Sequence, residues 1–482
     1  MPFRPHRRQV LQGLAAAGAA ALLPGRARAQ VAGERFLIVV TGTGGASIID
    51  AMLAIRASES ANAATLNTFP DNQVESIGPF RAVDQRLRGL GPLPYSGEAN
   101  QTDFVRRHVD DMLVVTHTGT SVNHLVAQKR ALTGNDAWAG RTLQEIVAAT
   151  YGGRVPLPNV NMGIGGYVEP GIDPALPDRA RAEPVANAQI WALGLDGQRG
   201  IAQAPPRDVL TLSRALRARL DERSAFTRTF GESRALQRWL ERRRQATTLE
   251  DANLIEKLLF LPDTPASPLA SLGLASGPDA ERVRAAFPLY LTDPLEAQAA
   301  LAYLLIVNRV SVAVTLGPGL SPGVGGQQTV DSPPLAFDFS HSAHRGTQAL
   351  MWSRLLSVSD RLIGLLKAAE YADGESFWDR SLLYVASDFG RSRRRPAGAT
   401  EFASGHHLNN GSLIVSPLVR GGRVLGGVDP DTALTYGFDP RTGEPDRGRN
   451  MAEAEVFAGI VQALGVDTSG TGLPDMRTVV RG

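Results

Sequence analysis

The sequence has 482 residues and contains no cysteine. This absence excludes disulfide bonds, thiolate catalysis and zinc sites built on thiolates. It also removes the usual attachment point for a lipid. No stretch beyond the first thirty residues is apolar and long enough to cross a bilayer, which needs about 20 residues, so we expect no stable membrane anchor. The formal net charge is only +2, which favours no nucleic-acid partner.

The first residues carry an export signature. Arg7 and Arg8 lie in a short basic region, an alanine-rich apolar stretch covers 14–23, and Ala27 and Ala29 flank a small-x-small cleavage signature. Paired arginines before a short, mildly hydrophobic stretch are typical of twin-arginine signals. We predict a signal peptide at 1–29, the twin-arginine translocase as a partner, and the periplasm as destination. The alternative is a disordered basic N-terminus.

The rest of the chain has the pattern of an α/β protein. Apolar runs predict strands at 36–40, 112–115, 310–316 and 381–386. Between and after them, helical spacing of apolar residues predicts helices at 46–56, 141–150, 348–369 and 456–464. Strands that are apolar throughout and lead into glycine-rich turns are typical of parallel sheets. We therefore predict a large, mostly parallel central sheet with helices on both faces.

One domain at 30–482 accommodates this pattern. Residues 170–300 are rich in arginine, alanine, leucine and glutamate, which predicts a helical insertion or cap. The Gly/Pro-rich stretch from Gly317 to Pro334 predicts a long loop, and loops of that length are usually functional or mobile.

Histidines are the best guide to a site. Six of the eight form three local pairs, each near the end of a predicted strand or in an adjacent loop, and two aspartates, Asp338 and Asp388, lie beside them. The pairs are His117 and His124, His341 and His344, and His406 and His407. Since ligands bind beyond the carboxyl ends of strands in open parallel sheets, we expect these groups to converge there.

Imidazole and carboxylate without thiolate suit zinc, manganese or iron, and magnesium or calcium where more oxygen ligands are present. We take His117, His124, Asp338, His341, Asp388, His406 and His407 as candidate ligands of a divalent metal. Two alternatives stay open: purely structural histidines that cap or hydrogen-bond loops, and a site that binds an anionic ligand without metal.

Three further groups are candidates for catalysis. Thr41 follows the first strand and could act as a hydroxyl nucleophile, although such residues are as often helix caps. Asp388 ends a strand, and Arg391 lies closest to that strand end in a basic loop, so it could hold a small anionic substrate. The turn Gly42–Gly45 lacks the full dinucleotide spacing and no Walker lysine follows it, so we expect no nucleotide cofactor.

Several motifs resemble the bacterial family known as domain of unknown function 1501. The matching stretches are 386–392 (ASDFGRS), 405–407 (GHH), 421–426 (GGRVLG), Asn123-His124 with Ala127, Thr133-Gly134, and Gly44-Gly45 with Asp50. They lie between about residues 35 and 465, outside the helical middle. Asp338-Phe339-Ser340-His341 departs from that family's Asp-x-His-Gly by one extra residue, so His344 is an alternative to His341, and Ser392 stands for the usual threonine.

The resemblance implies the alkaline phosphatase and sulfatase fold, with aspartate and histidine ligands at strand ends. Phe389 stands where that superfamily has a ligand, and no aspartate ends the first strand, so a standard two-metal phosphatase is not expected. The resulting hypothesis is an exported metal-dependent hydrolase of phosphate, sulfate or related esters. A non-catalytic binding or assembly protein on the same scaffold is the alternative.

Overall fold

The computed structural model describes residues 33–84, 100–194, 207–241, 254–260, 274, 277–318 and 336–481. The export signature and nearly all of the predicted loop between Gly317 and Pro334 lie outside these ranges. None of the helices within them is long and apolar enough to cross a membrane.

The described residues form a central sheet of eight strands in the order β14-β4-β13-β10-β1-β7-β5-β6. All neighbouring pairs are parallel except the two made by β13, which runs antiparallel between β4 and β10. The strands are β1 (Phe36–Gly42), β4 (Met112–Thr118), β5 (Asn159–Asn161), β6 (Glu183–Pro184), β7 (Ala313–Leu316), β10 (Ser381–Ser387), β13 (Asn409–Val415) and β14 (Arg423–Leu425). The predicted α/β class with a mostly parallel sheet is confirmed.

β1 lies in the middle of this sheet and every one of its residues is buried. Its apolar, β-branched sequence suits a strand that is covered on both faces. β1 pairs with β10 in parallel from Phe36 with Ser381 to Gly42 with Ser387. The two strands therefore end side by side, and the chain that follows each one starts at the same edge.

Helices cover both faces of the sheet. The α-helices within the described ranges are α1 (Gln101–His108), α2 (His124–Thr133), α3 (Leu143–Tyr151), α4 (Arg207–Arg223), α5 (Ala225–Phe230), α6 (Leu254–Leu258), α7 (Pro278–Ala286), α8 (Pro294–Val307), α9 (His344–Ala368) and α10 (Glu453–Ala463), with further helical residues at 234–241. α8 and α9 pack together against β7 and β1, and α2, α3 and α10 form a second group on the sheet. The predicted helices at 141–150, 348–369 and 456–464 are present with shifted ends.

Short two- and three-stranded sheets surround this core. They consist of β2 (Val74–Ile77) with β3 (Phe80–Val83), β8 (Glu370–Ala372) with β9 (Glu375–Ser376), β11 (Gly390–Arg391) with β12 (His406–His407), and β15 (Gly427–Val428), β16 (Thr435–Phe438) and β17 (Pro445–Asp446). The pair of β11 and β12 follows directly from the end of β10 and forms one wall of the site described below.

The predicted helix at 46–56 is wrong. Only a single 3₁₀ turn forms, at Ile48–Asp50. Other parts of the chain bind this backbone: Met52 accepts from the amide of Arg81 and Ala54 donates to the carbonyl of Arg81. The segment is buried, so its backbone groups need partners, and the neighbouring β3 supplies them in place of a helical ladder.

The described part of 170–300 is mainly helical. It also contains β6, which pairs with β5 at the edge of the central sheet. A continuous insertion separate from the sheet therefore stays a prediction, and the strand at Glu183–Pro184 shows that part of this region belongs to the main layer.

Candidate metal centre

A left-handed glycine turn follows β1. Gly44 and Gly45 have φ values of 95° and 94°, a conformation that side chains with a Cβ avoid. Their amide groups point at Asp388, which follows β10. Gly44 N lies 3.1 Å from both carboxylate oxygens and Gly45 N lies 3.0 Å from Oδ1. The turn thus binds an anion, and that anion is a carboxylate of the same chain.

Asp388 is buried, with its side chain fully shielded from solvent. Besides the two amides, it accepts hydrogen bonds from Gln128 Nε2 at 3.2 Å and from the hydroxyl of Tyr167 at 3.5 Å. A buried carboxylate needs several donors to replace its hydration. Asp388 is therefore built into the protein interior, and its position is fixed from three sides.

His124 connects Asp388 to the protein surface. Asn123 caps α2 by accepting a hydrogen bond from Val126 N at 3.3 Å, which places His124 in the first helical turn. Its Nδ1 lies 2.8 Å from Asp388 Oδ2, and its Nε2 lies 3.2 Å from Asp338 Oδ1. Gln128 is one turn further along the same face of α2. The imidazole therefore bridges a buried carboxylate and a half-buried one.

The two carboxylates decide the charge of this imidazole. Burial alone would lower the pKa of His124, but the hydrogen bonds to Asp338 and Asp388, together with their negative charges, outweigh burial and raise the pKa to about 9. In the absence of a metal the ring is therefore a cation at neutral pH, with a proton on each nitrogen.

Asp338 lies on a 3₁₀ turn, Phe337–His341, which a hydrogen bond from Phe337 N to Thr43 O at 3.0 Å attaches to the glycine turn. A Cβ on Gly44 would overlap the backbone nitrogen of Asp338. The absence of a side chain on Gly44 thus lets the two turns approach. Burial would raise the pKa of Asp338, but the hydrogen bonds to His124 and Arg391 hold it well below its usual range.

Two more imidazoles face Asp338. Its Oδ1 lies 3.3 Å from His341 Nε2 and 3.7 Å from His406 Nε2, and these two nitrogens are 2.8 Å apart. His406 Nδ1 lies 2.9 Å from the carbonyl oxygen of Val122. Because a carbonyl only accepts, Nδ1 carries the proton and Nε2 of the neutral ring presents a lone pair to the cluster.

The electrostatic surroundings keep His341 and His406 neutral. Burial, followed by the positive charge of Arg391, lowers the pKa of each ring below its ordinary value. The ring of His406 also stacks on Phe389, with centroids 4.1 Å apart at an angle of 28°. Both rings are therefore neutral at neutral pH, and the aromatic contact fixes the plane of one of them.

Arg391, on β11, contacts several residues of the cluster, and its side chain is fully buried. One terminal nitrogen donates to the carbonyls of Gly44 and Phe337 and, at 2.9 Å, to Asp338 Oδ1. The other lies 3.3 Å from His341 Nε2. Both terminal nitrogens of Arg391 thus contact atoms of the protein itself. This geometry fits a residue that positions its neighbours better than the predicted residue that holds an anionic substrate.

His124, Asp338 and His406 are close enough to hold one metal ion, since one ligand atom of each lies within 4.8 Å of the others. His341 Nε2 is a fourth donor atom beside them. Metal-ligating histidines usually give their second ring nitrogen to a carboxylate or a backbone carbonyl. His124 and His406 do so, through Asp388 and Val122. This set fits a divalent metal, with Asp388 as an outer partner.

The structure does not bring every candidate to this cluster. His117 lies on β4 and makes its hydrogen bond to Ser412 Oγ at 3.1 Å. His407 follows His406 on β12, so its side chain points to the opposite face, and its Nδ1 accepts from Asn409 N at 3.1 Å. Thr41 is fully buried, and its hydroxyl lies 3.3 Å from that of Thr43.

His344 belongs to a separate network. Its side chain is fully buried, with Nε2 at 3.1 Å from Asp50 Oδ2 and Nδ1 at 2.8 Å from Ser404 Oγ. Asn67 donates to both oxygens of Asp50. This arrangement supports the loop that carries His406, because Ser404 precedes it by two residues, and it gives His344 no place in the cluster.

Sequence reasoning missed three contributors. Gln128 and Tyr167 complete the hydrogen bonds of Asp388, and the carbonyl of Val122 fixes the tautomer of His406. The spacing from His124 to Gln128, one helical turn, was the available signal for the first. The sequence carries no comparable pattern for Tyr167, which lies in a 3₁₀ turn, or for a backbone carbonyl.

Comparison with known proteins identifies an export signal and does not assign an activity. The family model for the twin-arginine translocation pathway signal sequence matches residues 4–24, and on this basis the protein is exported to the periplasm. No curated protein matches the chain, so the resemblance to domain of unknown function 1501 stays a prediction.

Among solved structures, the chain is similar to the PsFucS1 sulfatase from Pseudoalteromonas sp. The identity is 9%, the match covers 99% of this chain and 78% of the sulfatase, and the TM-score is 0.28. A TM-score this low supports no argument about fold or activity. The α/β assignment therefore rests on the strand order, and the site on its own geometry.

Proposed function

We propose that this exported protein is a metal-dependent hydrolase of phosphate, sulfate or related esters. One divalent ion would be held by His124, Asp338 and His406, with His341 as a further ligand or as the acid/base group. The observation that supports this most directly is the shared direction of three imidazole Nε2 atoms, all within 3.7 Å of Asp338 Oδ1.

The spacing of the donor atoms fits such an ion. Zinc–nitrogen bonds of about 2.0–2.1 Å in a tetrahedral site separate neighbouring ligand atoms by about 3.3 Å. Asp338 Oδ1 lies 3.2 Å from His124 Nε2 and 3.3 Å from His341 Nε2. The distances to His406 Nε2 fall on either side of that separation, at 3.7 Å from Asp338 Oδ1 and 2.8 Å from His341 Nε2. Two histidines and one carboxylate also suit iron, and manganese accepts the same donors.

Exposure of the cluster favours a catalytic role over a purely structural one. The side chains of His341 and His124 are 46% and 33% exposed, so substrate and water can approach from solvent. When bound, the metal would lower the pKa of a water molecule and polarise the ester oxygen. His341, neutral because of burial and Arg391, is placed to accept the proton of that water.

The remaining residues position this machinery. Asp388 holds the Nδ1 proton of His124, so that Nε2 faces the metal position. Arg391 holds Asp338 and His341 in register with the glycine turn. The side chains of Asp388 and Arg391 are both buried away from solvent. We therefore assign both residues a positioning role and no contact with substrate.

The test is metal analysis combined with an activity screen. Protein isolated from the periplasm without a histidine tag is expected to contain about one divalent ion per chain and to hydrolyse one of the nitrophenyl phosphate, sulfate or acetate esters. His406→Ala is expected to remove both, whereas His407→Ala, on the opposite face of the same strand, retains both. Activity that persists in fully metal-free, folded protein would contradict the proposal.

The buried Thr41 favours the alternative that the scaffold binds a ligand without turnover. A hydroxyl nucleophile after the first strand would need contact with substrate, and this one has 0% exposure. A non-catalytic binding protein predicts no bound metal and no hydrolysis of any ester in the same screen, and it predicts that substitutions of the histidines are tolerated. Metal content and turnover therefore both separate the two candidates.

A further inference from the structure

An apolar face is exposed on two successive helices, α4 (Arg207–Arg223) and α5 (Ala225–Phe230), which we call the helical arm. Of the side chains that the structure describes in α4, none is buried, and α5 has no buried residue either. A stable helix in a globular protein normally buries one face. The arm therefore presents a face that the rest of the described chain does not cover.

The exposed side chains form a continuous stripe. Val209, Leu212, Leu216 and Leu220 follow each other at intervals of three or four residues, and Leu212 is 72% exposed. This spacing places them on one side of α4. Phe226 and Phe230 extend the apolar surface onto α5, with their rings 5.0 Å apart and at least half exposed. A contiguous apolar surface of this kind marks an interaction site.

The arm carries a net positive charge. Residues 207–230 contain six arginines and three acidic residues, a net charge of +3. The five arginines of the signal exceed the whole chain's formal charge of +2, so residues 30–482 carry −3 and the part outside the arm carries −6. The arm is thus a net positive segment of an exported chain whose remainder is net negative.

We propose that the helical arm lies on an anionic lipid surface. Helices that bind in the plane of a membrane combine basic residues with an apolar face of leucine and phenylalanine. In α4, Arg219 and Arg223 follow Leu216 and Leu220 by three residues each and therefore lie beside the apolar stripe. The export route brings the protein to the periplasmic face of the inner membrane. Two arms that each carry a net charge of +3 repel each other. Charge therefore disfavours contact between two copies of the arm and favours contact with an anionic phospholipid. The inference is independent of the metal site.

Vesicle co-sedimentation of the exported protein tests this inference. We expect binding to vesicles of equal parts phosphatidylglycerol and phosphatidylcholine, little binding to phosphatidylcholine alone, and weakening as salt rises. Leu212→Glu with Leu216→Glu should reduce binding by about tenfold or more, since each buried methylene contributes to interfacial affinity. Both positions are exposed, so the variant is expected to keep its far-UV circular dichroism spectrum.

Leu289→Glu is the matched control, because Leu289 is also exposed, at 52%, and lies outside the arm. It should bind vesicles as the parent does. Equal binding to both lipid mixtures, or a double variant that binds like the parent, would overturn the proposal. So would a dimer in light scattering that the same leucine substitutions dissociate, because the face would then contact a second copy.

Discussion

His124 Nδ1 lies 2.8 Å from Oδ2 of Asp388, a carboxylate that solvent does not reach. The contact fixes which nitrogen of His124 is available to a ligand. Since Asp388 is also held by the amides of Gly44 and Gly45, the orientation of the imidazole is set by the ends of β1 and β10 together. The nitrogen of His124 that gives up its proton to a metal therefore depends on the assembled sheet.

Replacement of Asp388 by asparagine tests this dependence. The asparagine side chain could still accept from the two glycine amides, but its NH₂ group would face His124 Nδ1 and favour the wrong tautomer. Metal affinity is expected to fall by about 10- to 100-fold, the usual effect of losing such an outer partner. Competition with a chelator measures the change, and an unchanged affinity would show that Asp388 does not act through His124.

Replacement of Asp338 by asparagine should have a larger effect. Asp338 Oδ1 faces all three Nε2 atoms and Arg391, so the substitution removes the carboxylate charge at the centre of the cluster. We expect the bound metal to fall from about one ion per chain to a level near the detection limit. Elemental analysis of the dialysed protein measures it. Retention of a full equivalent would refute the assignment of Asp338 as a ligand.

The two glycines Gly44 and Gly374 offer a matched pair, because both have positive φ values, 95° and 77°. A Cβ on Gly374 meets open space, whereas a Cβ on Gly44 overlaps Asp338. Alanine should cost about 1–2 kcal/mol at Gly374 for the left-handed conformation alone. At Gly44 the loss should be larger and should include metal binding. Urea unfolding and metal analysis of both variants check this, and equal losses would contradict it.

His117 is expected to make the protein sensitive to acid. Burial lowers the pKa of His117 to about 4, whereas the unfolded chain titrates near the ordinary value of about 6.5. Between these values the unfolded chain binds a proton that the folded chain does not. This contribution to stability is therefore present above about pH 6.5 and is lost as the pH falls towards 4, by up to about 3 kcal/mol.

His117→Gln should remove that part of the pH dependence while keeping a partner for Ser412. Urea unfolding of the metal-free proteins at several values between about pH 4.5 and about pH 7 would show a shallower slope of stability against pH for the variant. Parallel curves for the two proteins would mean that His117 titrates normally in the folded state.

Export should depend on the first arginine pair. Arg7→Lys with Arg8→Lys is expected to leave the precursor in the cytoplasm, because the translocase reads the guanidinium pair and not charge alone. Arg26→Lys with Arg28→Lys, near the cleavage signature, is the control and should be exported. Cell fractionation decides the matter, and periplasmic recovery of the first variant would contradict twin-arginine export.

The strands were predictable because their signal is local. β1 and β10 each contain a run of five apolar or aromatic residues, 36–40 and 382–386, and chemistry-bearing residues follow both. The convergence of His124, Asp338 and Asp388 then follows from one rule about the ends of parallel strands. The rule does not depend on which neighbour each strand pairs with.

The choice within each histidine pair was not predictable. His406 reaches the cluster and His407 does not, because successive residues of β12 face opposite sides, and a shift of one residue in register would exchange them. His341 and His344 are separated by the start of α9, whose N-terminal residue is buried against Asp50. These outcomes depend on packing between segments that are far apart in the sequence, and no local pattern records them.

The pairing of Phe36 with Ser381 has a consequence for the time course of synthesis. The first strand leaves the ribosome 345 residues before its parallel neighbour, which at about 5–20 residues per second is roughly 20–70 s. During that interval the edge of β1 has no β10 to pair with, and Asp388 has not been made. The glycine turn therefore has no carboxylate to bind until about four-fifths of the chain has been synthesised.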